Sequence, residues 1–126
     1  METDEKIMIA EKLSRALIGV DRNEFSKWIS FLKNKQSLDK ALTLAKYLSA
    51  TPMLRPIPRR SYERIYKAIS QGKKEIQDID LGELLEILGY CRLFLIGETA
   101  SLKGTLKGVK FTRRDVKKAY QNVFQK

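Results

Sequence analysis

The chain has 126 residues, 43% of them apolar, with 25 Lys and Arg against 15 Asp and Glu, a net charge of +10. That length suits one domain and the apolar share supports a real core, which excludes wholesale disorder. The absence of histidine and the single cysteine exclude an internal disulfide, the usual zinc sites and the Cys/His or Ser/His nucleophile systems.

Apolar spacing predicts six helices in one domain spanning 1–126. The first runs from Asp4 to Ile18, capped by Thr3, with Ile9, Leu13, Ala16, Leu17 and Val20 as its stripe. Asp21 opens the second, with Glu24 three residues on and Phe25, Trp28, Ile29 and Leu32 on one face. Ser37 opens the third, where Leu38, Ala41, Leu42, Ala45 and Leu48 recur. Short polar turns join these three, so 1–50 is expected to pack as antiparallel neighbours.

Residues 51–60 read TPMLRPIPRR. Three prolines there predict an extended, semi-rigid loop. In the helical part 61–126, Ser61 opens a helix with Tyr62, Ile65, Tyr66 and Ile69 on one face, ended by Gly72. Asp80 and Glu83 start the fifth helix, which runs from Leu81 to Ile96 and is stopped by Gly97. It is apolar almost all round and is expected to be the central helix. Residues 98–111, with Gly104 and Gly108, read as a loop in preference to a hairpin. Thr112 caps the last helix, with Asp115 at its third position and Val116, Ala119, Tyr120 and Val123 as its stripe. The fold class is therefore all-α, a compact bundle of five to six helices.

The charge is segregated. Residues 1–50 carry nine basic and seven acidic groups, a net of +2; residues 51–74 carry seven and one, +6. Residues 75–97 carry one and five, −4, and residues 98–126 carry eight and two, +6. Such a bias marks a polyanionic partner. On the fourth helix Arg60, Arg64 and Lys67 lie opposite the apolar stripe. On the last, Arg113, Arg114, Lys117 and Lys118 cover an arc away from Val116 and Ala119. Two basic helices, each preceded by a basic segment, are expected to flank one anion-binding groove. The candidate nucleic-acid contacts are Arg55, Arg59, Arg60, Arg64, Lys67, Lys73, Lys74, Lys103, Lys107, Lys110, Arg113, Arg114, Lys117 and Lys118. Arginine's planar fork matches phosphate oxygens in pairs, and lysines supply point charges that displace counterions. The competing account is a solvated polar face of each helix. Tyr62, Tyr66 and Tyr120 lie near these residues and suit either the core or stacking on bases.

Arg92 falls within the stripe of Leu81, Leu85, Leu88 and Leu95. Either it reaches a partner on another helix, chain or phosphate, as an assembly contact, or it extends its head to solvent along its stem. Asp78, Asp80 and Glu83 fit helix capping better than a Mg²⁺ cluster. No P-loop or GxGxxG is present. No enzymatic activity, metal, cofactor or small-molecule substrate is expected. The most apolar run, Leu84 to Ile96, is too short to span a membrane and carries Glu86 and Arg92. No N-terminal apolar run with a cleavage site appears, so a cytoplasmic location is expected. Scarce Asn and common Lys, Glu, Leu and Ile fit a thermophile.

The apolar helix LLEILGYCRLFLIG, a basic loop, and a short helix ending VKKAYQNVF close the chain. With the size and basic helical composition, this pattern resembles the small helical subunits of archaeal and thermophilic CRISPR effector complexes. The resemblance implies a non-catalytic, filament-forming subunit that contacts nucleic-acid backbone without reading sequence. The expected partners are RNA or single-stranded DNA, other protein subunits, and further copies of itself. The alternatives are a duplex-DNA regulator with a helix-turn-helix, a protein–protein adaptor with basic faces, and peripheral binding to anionic lipid.

Overall fold

The computed structural model describes residues 1–102 and 112–124, and side chains for 1–96 and 112–119. Seven helices and no strand occur among the described residues, and the architecture is all-α. In chain order they are α1 (Thr3–Ala16), α2 (Arg22–Lys35), α3 (Leu38–Ala50), α4 (Pro56–Gln71), α5 (Lys73–Ile76), α6 (Leu81–Leu102) and α7 (Arg113–Phe124).

Most helix starts follow from side chains that satisfy otherwise unpaired backbone N–H groups. Asp21 Oδ1 accepts from the N–H of Asn23 (2.9 Å) and of Glu24 (3.1 Å). The N–H of Asp21 itself donates to Ser61 Oγ at 3.0 Å, tying the start of α2 to α4. Ser37 Oγ accepts from the N–H of Lys40, and Asp80 Oδ2 from that of Gly82. Gln36 ends α2 in the left-handed region (φ 55°) and donates its N–H to Leu32 O. Its side-chain amide donates to Lys33 O, which offsets the strain of that conformation. Gly19, at φ +93°, makes the turn between α1 and α2, where a side chain would be strained.

Several boundaries differ from the sequence reading. The cap of α1 is Glu2, with no side-chain bond, and Thr3 is already helical. Helix α4 begins at Pro56. Pro56 and Pro58 lie in its first turn, where N–H groups have no intrahelical acceptor, so the missing donors cost nothing there. The residues expected as an extended loop up to 60 are therefore loop only to Arg55. Ser61 is buried mid-helix and does not cap. A one-turn helix, α5, follows Gly72. Helix α6 continues through Gly97 to Leu102, because one glycine lowers helix propensity by only about 1 kcal/mol and does not by itself end a helix. Residues 98–102, expected as loop, are thus helical, while 103–111 lie outside the described residues.

Helix α6 is the hub, packing on α1, α2 and α7. Leu84, Ile87, Leu88, Tyr90, Cys91, Phe94 and Leu95 are all buried. Helices α3 and α4 form the other close pair, with Ala41 and Ala45 giving α3 a small-residue face. Helix α2 joins the two halves, packing on α3, α4 and α6. Its Trp28 is fully buried, donates from Nε1 to Ala41 O at 2.8 Å, and stacks on Phe25 at 6.3 Å between ring centres. Helix α1 packs chiefly on α6, so 1–50 is not a self-contained bundle. Where α1 meets α6, Cys91 Sγ donates to Ala10 O at 3.3 Å, and burial raises the thiol far above its ordinary range. Lys6 pairs with Glu86 at 2.7 Å, and Tyr90 donates to the same carboxylate at 2.9 Å.

Candidate nucleic-acid interface

The basic face of α4 borders a groove of about 450 Å³ beside the C-terminal end of α1. Ala16 of α1 and Arg60, Glu63, Arg64, Lys67, Ala68 and Gln71 of α4 line it, giving three cations to one carboxylate over an apolar floor. The register follows from helix geometry. Tyr62, Ile65 and Ile69 face inward, which turns Arg60, Arg64 and Lys67 outward on the flank nearest α1.

These three cations differ in how free they are. Arg60 is exposed and makes no ion pair among the described residues. Among the described residues Lys67 pairs only with Glu63, one turn back on its own helix, at 2.9 Å. Arg64 Nη1 donates to Ile18 O at 2.6 Å, so one arm of its fork closes the end of α1. No other Arg64 hydrogen bond occurs among the described residues.

Among the described residues α4 and α7 do not face each other across the expected single groove. Helix α1 lies between them, contacting both. Arg113 reaches Glu11 of α1 with Nε at 3.1 Å and Nη2 at 2.8 Å. Lys117 lies 3.4 Å from Asp4. Helix α7 thus runs antiparallel to α1, anchored by these pairs and by the buried Val116. Its start is a full capping box. Thr112 Oγ1 accepts from the N–H of Asp115, and Asp115 Oδ2 accepts from the N–H and hydroxyl of Thr112.

The remaining sequence candidates are dispersed. Arg55 is the exposed N-cap residue of α4 and Arg59 is half-buried in its first turns. Lys73 pairs with Asp39 of α3 at 3.1 Å, and Lys74 is exposed on α5. Arg114 and Lys118 are exposed on α7. Lys103, Lys107 and Lys110 lie outside the described residues, as does the side chain of Tyr120. Tyr62 is buried, with burial and the facing Glu24 carboxylate raising its hydroxyl well above the ordinary range, so it is a core residue. Tyr66 is half-buried against the core. Arg92 is exposed. The buried arc of α6 centres on Ile87 and Cys91, which moves Arg92 from inside the apolar stripe to its margin and removes the need for a buried partner.

Sequence reasoning missed Glu11 and Arg15. The signal was present: Asp4 and Glu11 share one face of α1, and Arg113 and Lys117 share one face of α7, so the stripes complement each other. Also unanticipated are the exposed Met53 (93%) and Ile57 (66%) at the α3–α4 turn, on either side of Arg55.

The docking of α7 is expected to be acid-sensitive. The Arg113 guanidinium bonded to Glu11 holds that carboxyl below its ordinary value of 4.5, and the Thr112 backbone and hydroxyl hold Asp115 below 3.8. Both pKa values are depressed in the folded state, so this stabilisation is present above pH 4.5 and lost as pH falls through the lowered values. In amide-resolved NMR, α7 signals should shift toward random-coil positions on acidification before those of α6. Simultaneous loss of both would contradict this.

No group of three or more potential metal ligands occurs among the described residues, and no described helix is long and apolar enough to cross a membrane. The fold and groove define a basic all-α bundle. Comparison of the chain with protein-family models, curated proteins and solved structures found no match.

Proposed function

We propose that this protein is a non-catalytic subunit that binds nucleic-acid backbone without reading sequence, through the groove between α4 and the end of α1. The observation that carries this reading is Arg60, Arg64 and Lys67 on one groove wall with only Glu63 in opposition. Guanidinium and ammonium groups on an open wall suit successive phosphates. Between the charged wall and the apolar Ala16 and Ala68, Gln71 is the one neutral hydrogen-bonding side chain in the groove lining, too few contacts to read a sequence of bases. An open groove at a helix end suits a single strand or an RNA-containing polymer. Placement in a CRISPR-type ribonucleoprotein rests on the sequence resemblance, and a reducing, cytoplasmic setting on the single cysteine, Cys91. The exposed Met53 and Ile57 favour a protein neighbour at the α3–α4 turn within such a complex. A helix-turn-helix regulator is less well supported, because α6, the helix that would have to enter a groove, is the most buried.

The test is fluorescence anisotropy with single-stranded RNA, single-stranded DNA and duplex DNA across a salt series. Affinity that is alike across sequences and falls steeply with salt is expected. Binding to one duplex site alone, or to no polymer at low salt, would reject the reading.

A further inference from the structure

We propose that Arg15 and Arg113 form a second phosphate-binding subsite, occupied by the Glu11 carboxylate in the free protein and yielded to nucleic-acid backbone on binding. This rests on the function proposed above and extends its binding surface from α4 to α7.

One oxygen of Glu11 accepts three N–H donors from two guanidinium groups: Arg113 Nε at 3.1 Å, Arg113 Nη2 at 2.8 Å and Arg15 Nη2 at 3.3 Å. Two forks converging on one anionic oxygen is the arrangement a phosphate oxygen takes. The pairs are exposed, with side-chain exposures of 53% for Arg113 and 72% for Arg15, and exposed pairs are held weakly. A phosphate brings the same charge with more acceptor oxygens and releases counterions from the polymer, which a carboxylate already on the protein does not.

Position makes the subsite continuous with the groove. Arg15 immediately precedes Ala16, which lines the groove. Beyond Arg113, the exposed Arg114 and Lys118 extend the positive surface along α7. A strand leaving Arg60, Arg64 and Lys67 therefore crosses the last turn of α1 at Arg15 and meets α7 at Arg113. Glu11 is the carboxylate on that path that holds these arginines, so its charge sets the affinity.

The experiment titrates labelled oligouridylate into the full chain and its Glu11→Gln variant across a salt series. Glutamine keeps the volume and an acceptor oxygen but removes the competing charge. Affinity is expected to rise roughly five- to tenfold, with a salt slope steeper by about one. Unchanged or weaker binding by a variant that melts like wild type would overturn the proposal. Should Glu11→Gln loosen α7, Arg113→Gln is measured in both backgrounds. A larger loss of affinity in the Glu11→Gln background supports the proposal, and equal losses overturn it. A wild-type chain that binds no polymer overturns the parent function and this subsite with it. A wild-type chain that binds, with Glu11→Gln indifferent, overturns the subsite alone.

Discussion

Replacing Arg60 and Lys67 together by glutamate is expected to weaken binding to single-stranded nucleic acid about 100-fold while leaving the fold intact. Each charge-assisted contact is worth about 1.5–3 kcal/mol, so losing two removes at least about 3 kcal/mol. The salt slope should fall by about 1.5, since each phosphate contact contributes about 0.7–0.9. The choice of residues matters. Among the described residues Arg60 makes no ion pair and Lys67 meets only Glu63 on its own helix, so neither is seen to hold one helix to another. Arg64 closes the end of α1 through Ile18 O, and Arg113 and Lys117 hold α7 against Glu11 and Asp4. Reversing Arg113 or Lys117 would set like charges together between α7 and α1, and reversing Arg64 would uncap the end of α1, so lost binding would carry no information about contact. Anisotropy, with circular dichroism and melting of the same samples, decides. Wild-type affinity in the double variant would remove the groove from the binding surface.

The second large effect concerns stability. Trp28→Ala is expected to destabilise the protein by about 3–5 kcal/mol, the usual range for removing a buried large aromatic. The residue is fully buried where α2 meets α3, beside Phe25 and bonded to Ala41 O, so its loss opens a cavity between the two halves of the fold. Against a total stability of about 5–15 kcal/mol for a typical domain, that is a large fraction. Urea denaturation followed by far-UV circular dichroism measures it. A loss below about 1 kcal/mol would mean that the surrounding helices close the gap.

Helix existence was readable from the sequence because it depends on local terms. The caps at Asp21, Ser37, Asp80 and Thr112 act over two or three residues, and the stripes of α2, α3 and α4 recur at helical spacing. The all-α class and the centrality of α6 follow from such patterns. The segregation of charge is equally a sequence property, as is the outward arc of Arg60, Arg64 and Lys67, since Tyr62 and Ile65 set the inward face.

Other features were decided only by packing. Pro56 and Pro58 suggested a break, yet they lie in a first turn where an absent N–H has no consequence. Gly97 suggested a stop, yet α6 continues to Leu102, since one glycine lowers helix propensity by only about 1 kcal/mol. Arg92 moved to the surface when the buried arc settled around Ile87 and Cys91. Most consequential is the placement of α1. Spacing along the chain says that α4 and α7 are basic, but not that a helix presenting Asp4 and Glu11 lies between them. That α1 intervenes, pairing Glu11 with Arg113 and Asp4 with Lys117 while Arg64 closes its end, depends on contacts between residues as many as 113 positions apart. Local propensity carries no record of such contacts; they arise because α1 and α7 must each bury an apolar face on α6.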